Sequence, residues 1–514
     1  MIFGGVNTRF YIMSNIFNRY FKVLSFIVFV TFTYILRSPS FFSFNLDDDE
    51  GIYLLMGRFL TEGHLPYIHY WDHQPPLIYL LSWFVQLIGI KSIIGIRVVS
   101  AVFVCLTGYV LNLISLFLFN RKWISFFCGA FYIFAVSSYH VGGLAFNNEL
   151  IFNFFTVLSL FYLLQAFNND SKIKRIIFLA GLLCGFGFLT KQQVIYDFVS
   201  FIFLFFLFSY FQKGAKKYKY YIPVYIVASL IPISIIGLIY LVSGHINEYF
   251  FAIWESNIRY VTVGSVNKMD LIYFKINVKH FLFLVPVILS TLFIKKNKLK
   301  SYIYSSWFKA FLMIWLLINL YGVSLSKTYY LHYFIQVLLP ITLILGYSFT
   351  CVLNKQHSSK YLIITFFIVC IGFFSSKHFD LNPSQNHYKK SAIFKAAEFL
   401  VQNKDTFDTM FVVDGDVILY YLADFDIITR YAFPIHLTNP KYAHAFNFDQ
   451  EKEFLRVFNL NPTWLIMEDS LRSSYRDIKQ VKLNNILHDN LEKYNLEQTF
   501  TDLDENIINV FHRK

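Results

Sequence analysis

FKVLSFIVFVTFTYILRSPSFFSFNLDDDEGIYLLMGRF occupies residues 21–59. No charge interrupts the run between Lys22 and Arg37, and the run ends shortly before four consecutive acids, Asp47, Asp48, Asp49 and Glu50. A helix that crosses the hydrocarbon of a bilayer needs about 20 predominantly apolar residues. The first part of the stretch meets that requirement, so the chain reads as a membrane protein. Solubility does not call for a dense carboxylate cluster just beyond a membrane span, and the rest of the sequence has to explain it.

The composition agrees with a membrane environment. Of 514 residues, 56% are hydrophobic and 15% are charged, with 62 Phe and 36 Tyr. Soluble domains carry roughly 25% charged residues. The formal net charge is +13, from 45 Lys and Arg against 32 Asp and Glu. In a soluble protein that excess would suggest a nucleic-acid partner. Here the basic residues form short runs between apolar segments, so membrane topology explains them and no nucleic-acid partner is expected. The cysteines, Cys105, Cys128, Cys184, Cys351 and Cys370, lie in or beside apolar segments without metal or disulfide spacing and read as small packing residues. No small-residue cleavage site follows the first apolar run, so it is expected to be a retained anchor.

Eleven spans, to within two, are expected: 21–37, 97–119, 124–141, 148–167, 176–191, 193–211, 220–243, 273–294, 307–324, 330–351 and 360–376. The charges test this division. With the N-terminal tail (Arg9, Arg19, Lys22) cytoplasmic, the basic runs at 120–123, 168–175, 212–219, 295–306 and 352–359 all fall on the same side. This is the positive-inside pattern. Residues 38–96, 142–147, 244–272, 325–329 and the tail then share the outer side, and so does the acidic cluster. Residues 1–376 read as the membrane domain, and 377–514 as an extracytoplasmic α/β domain. In that tail 410–415, 417–423, 463–469 and 506–512 read as strands, and 391–403 and 476–489 as helices. The fold class is a mainly α polytopic transmembrane bundle with a soluble C-terminal α/β domain.

The outer segments hold the candidate chemistry. After the acids, GIYLLMGRFLTEG reads as a short amphipathic helix and LIYLLSWFVQLIG as a second one, both expected along the outer interface. Acids also cap helix N-termini, but four exceed what a cap needs. Glu149 opens the fourth span, and Lys191 with Gln192 occupies the next outer turn. Arg259 lies in the 244–272 loop, and Lys327, His332 and Tyr333 lie near the tenth span. Ionisable groups near a membrane are costly and often functional. The plainer reading is an interfacial or snorkelling side chain.

The pieces DEGIY (49–53), YWDHQPPLIYLL (70–81), GIRVVS (95–100), FNNE (146–149), GFGFLTKQ (185–192), LHYFIQVLLP (331–340) and TRYAFP (429–434) together resemble membrane glycosyltransferases of the GT-C type. Within that type the resemblance is to the bacterial family grouped with protein O-mannosyltransferases and aminoarabinose transferases of lipid A. It implies transfer of a sugar from a polyprenyl-phosphate donor to a lipid, glycan or protein acceptor at the outer face of a bacterial cytoplasmic membrane. The family's first-loop acid matches Asp49, with Glu50 beside it; its span-opening acid matches Glu149, and its turn lysine matches Lys191. One departure stands out. Relatives often carry Lys before the paired prolines, where this chain has His73 and Gln74. A neutral amide supplies no charge for a phosphate, which leaves that task to Lys191, Arg259, Lys327 or His332, with Tyr333 alongside.

The chemistry follows from these parts. A carboxylate takes the acceptor proton, and basic side chains stabilise the leaving phosphate. One-step displacement inverts the anomeric centre. The sequence names no certain cofactor; a divalent cation could meet the phosphate, it is assigned no ligands, and the direct-base and metal-assisted routes both stay open. The alternative reading is a flippase or transporter of lipid-linked glycans. It lacks support from paired repeats with broken helices.

Overall fold

A computed structural model describes residues 4–43, 47–138, 141–168, 172–212, 214–263, 306–325, 329–353, 388–468, 481–503 and 505–514, together with Leu271, Ile272, Lys275 and Lys327. Nine of the eleven expected spans correspond to helices; that expected at 360–376 lies outside the described residues, as does that at 273–294 apart from Lys275. The first helices are α1 (Gly4–Phe41), α2 (Asp49–Thr61), α3 (Leu77–Leu87), α4 (Ile93–Phe119), α5 (Lys122–Val136) and α6 (Asn148–Asn168). They are followed by α7 (Ile173–Phe188), α8 (Val194–Phe211) and α9 (Ile222–Val242), and later by helices Ser306–Leu325 and Leu338–Leu353. Among the described residues, seven helices are long and apolar enough to cross a membrane. The 15-residue α5 and 16-residue α7 fall short of that length.

Outer helices such as α1 and α9 hide one side and leave the other to lipid, while residues 338–350 of the helix Leu338–Leu353 are buried all round. Phe29, Leu111, Ile133, Leu160, Phe205 and Ile344 belong to one continuous buried core. Val23, Leu24, Ile27 and Tyr34 of α1, and Leu238, Ile239 and Val242 of α9, stay exposed. An apolar surface of this extent would be a liability in water and suits hydrocarbon. Close packing uses small residues, as membrane helices do. A Cβ on Gly181 or Gly185 of α7 would come within 2.4 Å of the Tyr225 and Ser229 carbonyls on α9. Larger residues there would force the two helices apart.

The tail contains a four-stranded sheet in the order β1-β2-β4-β3. Its strands are β1 (Met410–Asp414), β2 (Trp464–Glu468), β3 (Tyr494–Thr501) and β4 (Ile507–Arg513). β1 and β2 are parallel, with Met410 opposite Trp464, and the other pairs are antiparallel. Three of the four expected strands form. The fourth, 417–423, is instead a helical turn, Ile418–Leu422, started by Asp416, whose carboxylate accepts the Ile418 N–H at 2.9 Å. A short apolar run buried on all sides carries no period that separates strand from helix. β3 was not expected, because its residues are mostly exposed and polar, as at a sheet edge. The helix expected at 391–403 forms at Ala392–Asn403, and the one expected at 476–489 forms at Val481–Leu491, its first residues lying outside the described segments.

The first loop also differs from expectation. Both expected helices form, but α2 does not lie along a surface; residues Glu50–Gly57 and Phe59 are buried. It sits between α3 and the Ile418–Leu422 turn of the tail. Gly57 allows this, since a Cβ there would meet Gln86 Nε2 at 2.4 Å and Ser82 Oγ at 2.6 Å. Gln86 Nε2 donates to the Leu54 carbonyl at 2.9 Å. Ile52, Leu55 and Ile78 share one buried cluster with Ala396, Val412, Leu419 and Ile466 of the tail. Polar ties reinforce it. Arg58 donates to the Tyr420 and Phe425 carbonyls at 3.0 and 2.7 Å. Arg430 stacks 4.7 Å over Trp71, whose N–H donates to the Arg430 carbonyl at 2.8 Å.

Candidate active site

Between the start of α2, the 72–74 loop, the turn after α7 and the tail lies a cavity of about 320 Å³. That is near the lower end of ordinary ligand pockets, roughly 300–1,000 Å³. Its walls come from the first loop, Gly142, Lys191, Tyr260 and the tail, all assigned to the outer side, and from residues 330–333 at the start of the tenth expected span. Among the described residues, the basic turns contribute nothing to it. The charge alternation and the cavity therefore select the same side of the bundle.

The four acids do not act as a block. Successive helical residues point about 100° apart, and Asp49 and Glu50 diverge accordingly. Asp49 lines the cavity. Tyr53, one turn on, donates its hydroxyl to Asp49 Oδ2 at 3.3 Å and accepts from Asn148 Nδ2 at 2.9 Å. Burial, and next the charge of Asp72, push the Asp49 carboxyl up to about 6, against the pull of Lys191 and His73. Asp47 and Asp48 also line the cavity. Asp47 lies 3.4 Å from His332 Nδ1. Burial, followed by the nearby Asp49 and Asp48, raises the Asp47 carboxyl well above the usual range.

Glu50 is not on the cavity wall. Its carboxylate receives Nε and Nη2 of Arg97 at 3.0 and 2.5 Å, and the Phe146 N–H at 2.8 Å. Arg97 also donates to the Ser40 and Ser43 carbonyls. Arg37 complements this set, donating to the Gly143 and Leu144 carbonyls at 2.6 and 3.0 Å. Two buried arginines thus tie the end of α1, the start of α4 and the 142–146 loop to the first turn of α2.

Lys191 enters from the turn after α7. Its Nζ donates to Glu149 Oε1 at 2.6 Å and sits 4.4 Å over the Tyr333 ring. Lys191, His332, Tyr333, His73 and Gln74 all line the cavity, and Glu149 is attached through Lys191. The remaining two expected residues are not on the lining. Arg259 pairs with Glu255 at 2.6 Å on a partly exposed surface, and Lys327 lies off the wall in a left-handed conformation with φ +59.

The lining residues that were not anticipated include Asp72, His436 and Tyr442. Asp72 stands beside His73 in the quoted YWDHQPP piece and could have been singled out there. His436 and Tyr442 carry no sequence signal that connects them with the first loop. The Asp72 carboxylate lies 3.1 Å from His73 Nδ1 and accepts the Tyr79 hydroxyl at 2.6 Å. Burial opposes its ionisation, but the hydrogen bonds of His73 and Tyr79 and the charges of His73 and His436 together hold the carboxyl below its usual range. His436 is pushed down to about 3 by burial, against the charge of Asp72. One ligand atom each from Asp72, His73 and His436 fall within 4.8 Å of one another. The Nδ1 atom of His436 is buried without a hydrogen-bond partner. This donor set fits a divalent cation of the zinc or cobalt kind.

The comparisons with known proteins agree with this architecture. The family model for dolichyl-phosphate-mannose-protein mannosyltransferase matches residues 72–237. No curated protein matches by sequence. The fold is similar to that of ArnT from Cupriavidus metallidurans bound to undecaprenyl phosphate, with a TM-score of 0.63 at 11% identity, covering 95% of this chain and 97% of that one. It is similar as well to the oligosaccharyltransferase AglB from Archaeoglobus fulgidus in complex with an inhibitory peptide and a dolichol-phosphate. There the TM-score is 0.57 at 13% identity, covering 96% of this chain and 74% of that one. An Archaeoglobus fulgidus oligosaccharyltransferase in complex with Zn and sulfate gives 0.54 at 14% identity, covering 93% of this chain and 72% of that one. The chain is a multi-pass membrane protein with the GT-C fold, and its resemblance to GT-C glycosyltransferases is borne out.

Proposed function

We propose that this protein transfers a sugar from a polyprenyl-phosphate-linked donor to a hydroxyl of a lipid, glycan or protein acceptor, with inversion. The reaction takes place at the outer face of a bacterial cytoplasmic membrane, with residues 377–514 as an extracytoplasmic domain. One observation carries the reading: Asp49 and Lys191 face one cavity from separate elements, and each is held by a fixed partner.

In the reaction the acceptor oxygen forms a bond to the anomeric carbon as the bond from that carbon to the phosphate oxygen breaks. The bonding pair leaves with the phosphate, and the acceptor proton passes to Asp49. Tyr53 and Asn148 orient Asp49 for this step. A base with its carboxyl raised to about 6 is still ionised at neutral pH and holds the proton better than an ordinary Asp. Lys191 meets the phosphate, and Glu149 with Tyr333 fixes its ammonium. Glu50 acts through Arg97 as a positioning residue. A divalent cation, held by Asp72, His73 and His436, would supply positive charge next to Gln74, where relatives often carry Lys. Arg259 and Lys327 are left outside the reacting centre.

The test uses purified protein in nanodiscs with a panel of polyprenyl-phosphate-linked pentoses and hexoses. Release of free polyprenyl phosphate, dependent on Asp49, supports the reading. Release that is equal with Asp49→Asn refutes it.

A further inference from the structure

The chain leaves α9 at Gly244, with φ +81, and turns back along the helix it has just completed. The His245 N–H donates to the Tyr240 carbonyl at 2.8 Å. The Tyr249 ring stacks on Tyr240 at 4.5 Å and lies 4.0 Å from where a Cβ on Gly237 would be. Tyr240 and Gly237 precede the last residue of α9 by two and five positions. At 1.5 Å per residue the returning arm therefore runs about 3–8 Å inside the end of the span.

The arm comprises α10 (Ile246–Phe250), a π turn at Phe251–Glu255 and α11 (Ser256–Val263). Tyr249, Ala252, Ser256 and Tyr260 face the protein and are buried. On the opposite side Phe250, Trp254 and Ile258 are 56%, 55% and 51% exposed. Their spacing of four residues makes one apolar stripe, uncovered among the described residues. Leu238, Leu241 and Val242 of α9, a helix long and apolar enough to span a membrane, are exposed as well. The Glu255–Arg259 pair borders it.

We infer that residues 246–263 form an interfacial membrane arm whose Phe250, Trp254 and Ile258 insert into the acyl chains at the edge of the bilayer. The depth agrees with the roughly 5–10 Å typical of interfacial helices, and tryptophan suits that level. On its inner side the arm supports the cavity. Gln192 Nε2 donates to the Ile253 carbonyl at 2.7 Å, Asn257 Nδ2 donates to the His73 carbonyl at 2.9 Å, and Tyr260 lines the wall. A lipid-anchored segment thereby fixes one side of the cavity at the level of the lipid headgroups. This inference does not depend on the reaction proposed above.

Fluorescence of the full protein in nanodiscs tests it, using lipids brominated on shallow acyl carbons and comparing wild type with Trp254→Phe. The emission that Trp254 contributes, taken as the difference, is expected to be blue-shifted, lost in brominated lipid and unaffected by aqueous iodide. Quenching by iodide without quenching by bromine overturns the inference. Shielding from both quenchers, the mark of a protein cover, overturns it equally. Transfer activity of Trp254→Phe, recorded in parallel, keeps the lipid contact and the chemistry as separate readouts.

Discussion

The Glu50 carboxylate meets Nη2 of Arg97 at 2.5 Å, and both side chains are shut away from solvent. The pair holds the first turn of α2 against α4, so Asp49 inherits its position from a neighbour that never reaches the cavity. Breaking one side of such a pair leaves an uncompensated buried charge and costs about 3–5 kcal/mol. Arg97→Met is therefore expected to lower thermal stability markedly in detergent, whereas Glu50→Gln combined with Arg97→Met recovers much of the loss. Thermal unfolding of the single and double variants checks this. A single variant as stable as wild type would mean that the pair does not hold α2.

Asp49→Asn keeps the size of the side chain and removes its basicity. A positioned base contributes about 10²–10⁴-fold in rate. Single-turnover transfer is expected to fall by that range while stability stays near wild type. Tyr53→Phe, which removes the hydroxyl that orients Asp49, is expected to lower turnover with a smaller effect on donor KM.

Proton removal needs ionised Asp49, whose carboxyl is raised to about 6. Because that value is raised, activity is expected to be full above it and to be lost as pH falls through about 6. An ordinary Asp near 3.9 would hold activity down to much lower pH. The measurement is the pH dependence of kcat on intact protein. A profile flat down to pH 5 rules out Asp49 as the titrating base.

Lys191→Ala would leave Glu149 buried without its partner, so loss of folding and loss of phosphate binding have to be separated. The double variant Lys191→Met with Glu149→Gln removes both charges together. It is expected to fold and to show a raised KM for the lipid-phosphate donor. Gln74→Ala is expected to change donor KM far less. An unaltered KM in the double variant would place phosphate binding elsewhere in the cavity.

The Asp72, His73 and His436 set is expected to bind one divalent cation. Cobalt titration followed by visible absorption reads the site directly, and His436→Ala is expected to abolish it. An unchanged cobalt spectrum in that variant would remove His436 from the ligand set.

Much of this protein was written in local pattern. Apolar run lengths and the one-sided placement of Lys and Arg marked the spans, because a helix in hydrocarbon must satisfy its backbone internally and cover a fixed thickness. The runs around 410–415, 463–469 and 506–512 marked β1, β2 and β4. What the sequence did not contain were the meetings between distant segments. His436 comes to Asp72 and His73 only because the tail packs over α2, and α2 is enclosed only because Gly57 lets α3 approach. Arg97 appeared merely as part of a motif until its guanidinium was found around Glu50. The interfacial position expected for α2 belongs instead to the 246–263 arm. Both segments are apolar helices in loops beside the cavity, and which one the tail covers depends on three-dimensional packing that no local period records.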